Sequence, residues 1–344
     1  MKKRIFRVVS CALLSCSLLL CTFGCTADSI ETGTSAKLTP ITLNEVAHSI
    51  FYAPQYVAIE NGYFKEEGID LTLVTGFGAD KVMNSLVSGD AQIGFMGSEA
   101  SIYIYNEGSK DYAVNFAQLT QRAGNFLVSR TPDNDFQWSK LKGKTVIGGR
   151  AGGMPQMILE YILKNNGIDP AKDLTMIQNI DFGSTSGAFA GGTGEYTVEF
   201  EPHATLLETE GKGYVVSSLG TDSGYVPYTA YCAKKSYISD NPAVIQAFTN
   251  AIQRGIHYVN THTSAEIAQI IAPQFPETSE AVITTIVERY KTQDTWKTDT
   301  IFSESSMTLL QDILDSAGEL TRRVPYKDIV TTEFSEEAAK IKSE

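Results

Sequence analysis

The chain has 344 residues, of which 42% are hydrophobic and 20% are charged. This composition is typical of a globular protein, not a disordered one, and the length suits two domains of moderate size. The net charge of −12 argues against nucleic acid as a partner, because an acidic surface repels phosphates.

Residues 1–24 predict a signal peptide, because basic residues precede an apolar run at residues 8–22 and no acid interrupts them. The run is too short for a comfortable membrane span. Thr22-Phe-Gly-Cys25 resembles a lipobox, so we expect lipid attachment at Cys25, with an ordinary signal peptide cut nearby as the alternative. Residues 25–40 would then form the lipid anchor and a flexible tether, and the body would be exported.

The body contains one of the five cysteines, Cys232, whereas the other four lie in or at the end of the leader. An exported protein with one cysteine has no internal disulfide framework. Cys232 lies in an apolar stretch at residues 228–233 that predicts a strand, and we expect it to be a small buried residue.

The first predicted unit of the body is a strand at residues 41–46, a polar and aromatic loop at 48–53, a helix that begins near Pro54, and a strand at 69–74. Strand, helix and strand in this order form a βαβ unit. Such units place their ligand loops at the carboxyl ends of the strands.

The same alternation continues along the chain and predicts two α/β lobes with a cleft between them. Apolar periodicity predicts the remaining elements. Strands are expected at residues 91–96, 112–117, 125–129, 145–147, 175–179, 196–202 and 215–219, and helices at 82–87, 156–164, 242–257, 264–271, 280–290 and 303–317.

A glycine-rich loop at residues 149–155 joins the predicted strand 145–147 to the helix 156–164. Backbone N–H groups at the start of a helix can hold an anion or the polar edge of a ligand. The loop has neither the lysine of a P-loop nor the spacing of a dinucleotide fingerprint.

The segment from Ala53 to Leu71 resembles the start of solute-binding proteins of ABC importers, in particular those for nitrate, sulfonates, taurine and thiamine-type pyrimidines. Gly62-Tyr-Phe64 and Gly68-Ile-Asp-Leu71 follow Ala58 at the spacing of that family. Further similarity lies at residues 88–95, 138–147 and 188–202, and the resemblance covers most of residues 41–313.

This resemblance implies the periplasmic-binding-protein type II fold, with two lobes that each contain a mixed sheet flanked by helices. It places lobe 1 at residues 41–128 plus 227–344 and lobe 2 at 129–226. It also implies a receptor that captures a small organic molecule in the cleft and docks on an ABC permease with its ATPase. We expect a monomer that contacts the membrane only through its N-terminal lipid.

Polar and aromatic residues recur at the predicted strand ends, and we expect ligand-binding residues among them. The candidates are His48, Phe51, Tyr52, Gly97, Ser98, Glu99, Asn125, Gly152, Gly153, Met154, Glu199, Glu201 and Tyr228. Each also has a structural interpretation: Phe51 and Tyr52 could pack in the core, Ser98 could cap its helix, and Glu201 could brace a turn.

No motif predicts catalysis, a cofactor or a metal site. The four histidines are scattered without the spacing of metal ligands, and the G-x-S-x-G nucleophile motif of hydrolases is not present. An exported enzyme similar to the fungal thiamine-pyrimidine synthases is the alternative of another class. Those relatives carry a cysteine-rich cluster, whereas this body has Cys232 alone. A sensory ligand-binding protein is a third possibility.

The candidate loops favour a ligand with amino groups. The basic residues in these loops are Arg122 and Arg150. The acidic residues are more numerous and comprise Glu99, Glu199 and Glu201. Carboxylates repel an anion, whereas carboxylates with aromatic rings suit a flat ligand with N–H groups. We therefore predict a thiamine-type aminopyrimidine precursor. A sulfonate, nitrate or taurine remains the alternative, since the arginines or the glycine-rich loop could hold an anion.

Overall fold

A computed structural model describes residues 37–341 of the chain. The predicted signal peptide, the lipidation site at Cys25 and most of the tether lie outside these residues and stay predictions. Within the described residues, no helix combines the length and the apolar character needed to cross a bilayer.

The described residues form ten strands and fifteen α-helices. The strands are β1 (Thr39–Glu45), β2 (Ile69–Thr75), β3 (Ile93–Gly97), β4 (Ala113–Thr120), β5 (Asn125–Ser129), β6 (Thr145–Ile147), β7 (Thr175–Ile177), β8 (Tyr196–Phe200), β9 (Tyr214–Ser218) and β10 (Thr229–Lys234). The helices are α1 (Ala53–Glu60), α2 (Tyr63–Glu66), α3 (Ala79–Ser88), α4 (Glu99–Asn106), α5 (Met154–Asn165), α6 (Thr185–Ala190), α7 (His203–Thr209), α8 (Leu219–Asp222), α9 (Lys235–Asp240), α10 (Pro242–Thr261), α11 (Ser264–Ile271), α12 (Glu280–Thr292), α13 (Glu304–Ala317), α14 (Tyr326–Ile329) and α15 (Glu333–Ala338).

The strands form two five-stranded sheets, in the orders β2-β1-β3-β10-β4 and β7-β6-β8-β5-β9. In the first sheet β1 is parallel to β2 and β3, whereas β10 is antiparallel to β3 and β4. In the second sheet β6 is parallel to β7 and β8, whereas β5 is antiparallel to β8 and β9. Two mixed sheets flanked by helices confirm the predicted α/β fold class.

The chain passes from the first sheet to the second between β4 and β5 and returns between β9 and β10. Because β5 pairs with β8 and β9, Asn125–Ser129 belongs with the second sheet, although the predicted lobe boundary lay at residue 129. The division into lobes otherwise stays a prediction.

Helix α1 fixes the loop that follows β1. Pro54 lies in its first turn, as expected for a residue without a backbone N–H. The helix packs against α10, where a Cβ on Gly255 would lie 2.1 Å from the Pro54 carbonyl oxygen. Glycine at position 255 therefore allows the backbones to approach, and this contact holds the start of α1 in place.

Helix α13 links the two sheets near the C-terminal end of the chain. It contacts α4 beside the first sheet and α5 beside the second, and the Lys164 ammonium donates a hydrogen bond to the Ser316 carbonyl. The predicted helix at 303–317 therefore contacts elements that accompany both sheets.

Candidate functional site

A cavity of about 570 Å³ lies between elements of the two sheets, and we call it the large chamber. A second cavity of about 50 Å³, the small chamber, adjoins it, because Phe77, Arg150, Pro155 and Phe200 line both. The walls come from the ends of β1 and β3 and the start of α4 on one side. The glycine-rich loop and the end of β8 supply the other side.

The structure brings eleven of the thirteen predicted residues to these two chambers. The large chamber is lined by Tyr52, Gly97, Glu99, Gly152, Gly153, Met154 and Tyr228. The small chamber is lined by His48, Asn125, Glu199 and Glu201. Phe51 and Ser98 line neither.

Phe51 and Ser98 support the walls from behind. The Phe51 ring is fully buried against the rings of Tyr52 and Tyr228, with centroids 5.1 and 5.6 Å away. The Ser98 hydroxyl donates to the Pro227 carbonyl at 2.8 Å and makes no capping bond to its own helix. The capping interpretation of Ser98 is therefore wrong, because its hydroxyl ties the start of α4 to the segment that precedes β10.

Glu99 is the first residue of α4, and only 2% of its surface is exposed. The Met154 N–H approaches its Oε1 at 3.4 Å, whereas Oε2 accepts no hydrogen bond from the described residues. Burial raises the pKa of Glu99 to about 7, although the N–H groups of Glu99 and Met154 offset part of that effect. The chamber therefore contains a carboxyl that changes charge near neutral pH.

Gly97 allows the Glu99 carboxyl to lie against the backbone. A Cβ at position 97 would lie 2.1 Å from Glu99 Oε2. A side chain at position 97 would push the Glu99 carboxyl out of its position. The observed position of this carboxyl in the chamber wall therefore depends on glycine at position 97.

Glu199 is the corresponding buried carboxyl of the small chamber, but both of its oxygens are hydrogen-bonded. Thr197 Oγ1 donates to Oε1 at 2.6 Å and Thr185 Oγ1 donates to Oε2 at 3.0 Å. Burial nevertheless raises the pKa of Glu199 to about 7. Nearby, Asn125 Oδ1 accepts from the Tyr228 hydroxyl at 2.6 Å, whereas Asn125 Nδ2 has no partner among the described residues.

Both carboxylate oxygens of Glu201 accept hydrogen bonds from protein groups. Its Oε1 accepts from Arg289 at 2.6 Å and from the Thr205 hydroxyl at 3.0 Å, and its Oε2 accepts from the Thr205 N–H at 2.9 Å. Burial raises the pKa of Glu201, and Arg289 counteracts the rise. Arg289 on α12 therefore reaches the Glu201 carboxylate from a distant part of the chain.

His48 is likewise occupied. Its Nδ1 lies 2.8 Å from Glu45 Oε1 and its Nε2 lies 2.8 Å from the Gln274 carbonyl oxygen. Burial lowers the pKa of His48, but the hydrogen bonds to Glu45 and Gln274 outweigh it, and the pKa is raised overall. Glu45 also accepts from Gln55 and Tyr56, so this cluster fixes the first loop.

The rim between the chambers contains a strained aromatic residue that the sequence analysis missed. Phe77 has a φ of +55°, an uncommon conformation for a bulky residue, and it is 52% exposed. Backbone outliers of this kind cluster at ligand-binding sites. The one feature of the sequence that could have indicated Phe77 is its position between Gly76 and Gly78.

Several bonds cross from the first sheet's elements to the second's. Arg150 in the glycine-rich loop pairs with Asp80 in the first turn of α3 at 2.9 Å. The Tyr103 hydroxyl donates to the Gly152 carbonyl at 2.8 Å. Tyr103 was also missed, although it lies four residues after Glu99 and therefore on the same helix face.

Arg122 does not serve the chambers as an anion ligand. Its guanidinium stacks on Tyr225 at 4.0 Å and donates to the Gly220 carbonyl. Arg150 is the one arginine or lysine among the chamber-lining residues of the described chain. In residues 37–341, no group of three His, Cys, Asp or Glu could hold a metal ion.

Cys232 is buried in β10, as predicted. Burial raises the pKa of its thiol to about 12, so the thiol stays protonated and is a poor nucleophile. It lines neither chamber.

Sequence comparison matches the chain to one family model and to named relatives. A family model described as NMT1/THI5 like matches residues 50–265. A Bacillus subtilis (strain 168) protein named "Putative binding protein YtlA" is 48% identical over 299 residues, which is 87% of this chain and 90% of that protein. The 4-amino-5-hydroxymethyl-2-methylpyrimidine phosphate synthase of Aspergillus parasiticus is 23% identical over 235 residues, 64% of this chain and 66% of that protein.

Solved structures share the fold. The alkanesulfonate-binding protein SsuA of Xanthomonas axonopodis pv. citri, bound to MOPS, superposes with a TM-score of 0.71 at 14% identity, covering 86% of this chain and 99% of that one. The periplasmic nitrate-binding protein NrtA of Synechocystis PCC 6803 superposes with a TM-score of 0.70 at 16% identity, covering 88% and 89%. At these identities the likeness concerns the fold alone.

Proposed function

We propose that this chain, which belongs to the NMT1/THI5-like family, is the extracytoplasmic solute-binding protein of an ABC importer. The observation that carries the proposal is the large chamber, about 570 Å³ in volume, which elements of both sheets enclose. A buried carboxyl with an unpartnered oxygen lies in its wall. Ligand sites are concave, mostly apolar and equipped with a few such polar groups.

The favoured ligand is a thiamine-type aminopyrimidine precursor. Tyr52, Phe200 and Tyr228 supply aromatic surface for a flat ring, and Glu99 supplies a partner for N–H groups. The remaining charges at the chamber, from Asp80, Glu107, Glu319 and Arg150, are predominantly negative and would repel an anion. The name of the Aspergillus relative, a pyrimidine phosphate synthase, supports the same class.

A sulfonate, nitrate or taurine is the second candidate. It is favoured by Arg150 and by the backbone of Gly152, Gly153 and Met154 at the start of α5, where an anion could bind. The named ligands of SsuA and NrtA point the same way. Because Arg150 is already paired with Asp80, an anion would have to displace that carboxylate, so we rank this candidate second.

We propose binding without catalysis. The large chamber presents carboxyl and phenol groups, whereas the thiol of Cys232 is buried outside it. An exported pyrimidine-synthase-like enzyme would instead turn over its ligand, so incubation with an aminopyrimidine followed by mass spectrometry separates the two. An unchanged ligand is expected.

Import by this protein would require the two lobes to close over the ligand, by hinge motion, and to dock as a monomer on a permease with its ATPase. The bonds from Arg150 to Asp80 and from Tyr103 to Gly152 are suited to hold a closed form. A lipid on Cys25 would keep the receptor on the extracytoplasmic face of the membrane. Loss of membrane association in a Cys25→Ala variant is the expected test result.

The decisive test of function is a thermal-shift screen of the mature protein with aminopyrimidines, thiamine, taurine, alkanesulfonates and nitrate. A ligand at a hundredfold excess over its Kd adds about 3 kcal/mol of stability. Stabilisation by an aminopyrimidine alone supports the favoured ligand. Stabilisation by sulfonates or nitrate alone transfers the assignment to the second candidate, and turnover of the ligand refutes a pure binding role.

A further inference from the structure

We infer that Glu99 recognises the ligand as a protonated carboxylic acid. The large chamber then selects a neutral heterocycle in which an N–H donor stands beside a ring-nitrogen acceptor. This inference rests on the proposed function, since it specifies the ligand edge that the same chamber takes.

The Glu99 carboxyl lies buried in the wall of the large chamber. Glu99 is 2% exposed, the nearest N–H from the opposite wall is that of Met154 at 3.4 Å, and Oε2 has no partner among the described residues. A buried charge without a hydrogen-bonded partner is costly. A carboxyl in this position is therefore best satisfied by a ligand in the chamber.

The surroundings of the Glu99 carboxyl offer it no unpaired positive charge. The phenols and carboxyls that line the chamber are neutral or negative, and its single cation is already paired with Asp80 at 2.9 Å. The titratable groups facing the chamber are Tyr52 before α1, Asp80 on α3, Tyr103 on α4, Glu107 after α4, Arg150 in the glycine-rich loop, Tyr228 before β10 and Glu319 after α13. None of these stabilises a negative Glu99, which agrees with its pKa of about 7.

The hydrogen bonds that Glu99 can make depend on whether its carboxyl is protonated. A protonated carboxyl offers one O–H donor beside one carbonyl acceptor, whereas a carboxylate offers acceptors only. A 4-aminopyrimidine presents the complementary pair, an amino N–H next to a ring nitrogen. Two parallel hydrogen bonds would then fix the ring against the aromatic walls. A sulfonate or nitrate could accept from the O–H donor but has no N–H group for the carbonyl acceptor, so it would make one of the two hydrogen bonds.

The same geometry predicts that glutamine can replace the acid at position 99. The glutamine amide has an N–H donor and a carbonyl acceptor in the same arrangement as the protonated carboxyl. A carboxylate that paired with a cationic ligand would not tolerate this change. The Glu99→Gln variant therefore distinguishes a protonated acid from a charged carboxylate.

The experiment is isothermal titration of the mature protein with 4-amino-5-hydroxymethyl-2-methylpyrimidine between pH 7 and pH 9. With a pKa of about 7 for Glu99, the protonated fraction falls from about a half to about a hundredth, so the wild-type Kd should rise about fiftyfold. The Glu99→Gln variant should bind within about threefold of the wild-type pH 7 value across the range. The Glu99→Leu variant should bind at least about tenfold more weakly.

A second probe, the 4-methoxy analogue, keeps the ring nitrogen and lacks the N–H donor. Wild type should prefer the amino probe by at least about tenfold, and this preference should vanish in Glu99→Leu. Glu210→Gln, an exposed carboxylate at the end of α7, is the matched control and should change neither Kd. Thermal unfolding of each variant checks that it is folded.

The outcomes separate the inference from the proposed function. A wild-type affinity that is flat or increases with pH overturns the inference, and so does a Glu99→Gln variant as weak as Glu99→Leu. If wild type and Glu99→Leu bind the amino probe equally, the importer proposal stands and the role of Glu99 falls. If wild type binds neither pyrimidine at any pH, both the aminopyrimidine assignment and this inference are wrong.

Discussion

We predict that the protein is more stable at pH 5 than at pH 8, with Glu99 and Glu199 responsible. Both carboxyls are buried, and burial raises their pKa from 4.5 to about 7. The folded state therefore binds protons that the unfolded state releases above pH 4.5. Stability is fully present below that value and is lost as pH rises through about 7.

The magnitude follows from the size of the pKa change. One pKa unit corresponds to about 1.4 kcal/mol, so each carboxyl should lower the free energy of unfolding by about 2 kcal/mol between pH 5 and pH 8. Other groups also titrate in this window, including His48, whose pKa is raised, and His203, whose pKa is lowered by burial. The contribution of each carboxyl is therefore read from a variant and not from the wild-type slope alone.

The assay is urea unfolding of wild type, Glu99→Gln and Glu199→Gln at pH 5, 6, 7 and 8. In each single variant, the free energy of unfolding should differ between pH 5 and pH 8 by about 2 kcal/mol less than it does in wild type. In the double variant this reduction should be about twice as large. Glu210→Gln, which removes an exposed carboxylate, should keep the wild-type dependence. A wild-type stability that rises from pH 5 to pH 8, with unchanged slopes in both variants, would refute the reasoning.

Three further predictions concern the rim and the support of the site. Arg289→Met should lower the free energy of unfolding in urea by about 3 kcal/mol, because it leaves the buried Glu201 carboxylate without its cation. A loss below about 1 kcal/mol would contradict a structural role for the pair of Arg289 and Glu201. Phe77→Gly relieves a φ of +55° and should change the free energy of unfolding by less than about 1 kcal/mol. The same variant should raise the ligand Kd measured by calorimetry several-fold, and an unchanged Kd would exclude Phe77 from the site. Gly97→Ala should reduce ligand affinity about as strongly as Glu99→Leu, because the new Cβ displaces the Glu99 carboxyl; wild-type titration curves would contradict that positioning.

Local patterns were sufficient to predict much of the fold. Strands β5 and β6 and helix α11 match their predicted bounds residue for residue. Helix α5 begins at Met154, two residues before its predicted start, because Pro155 fits the first turn of a helix. Helix α7 was not predicted, since the short segment after Glu201-Pro202 has little apolar periodicity.

The positions of the candidate site residues could be predicted from the loops at the strand ends. Which of their polar groups have hydrogen-bond partners in the protein could not be predicted in this way. Placing candidates at strand ends found Tyr52, Glu99 and Tyr228, which line the large chamber. Sequence could not distinguish Glu99, which keeps an unpartnered oxygen, from Glu201, which Arg289 neutralises. That difference depends on a side chain from a distant helix, and no local pattern records it.

The central claim is that the large chamber binds an aminopyrimidine through Glu99. A crystal structure of the mature protein with 4-amino-5-hydroxymethyl-2-methylpyrimidine tests it most directly. We predict the ring in the large chamber beside Tyr52 and Tyr228, with its amino group and adjacent ring nitrogen within hydrogen-bond distance of the Glu99 carboxyl. A ring bound in the small chamber, or one that turns its amino edge away from Glu99, would contradict the claim.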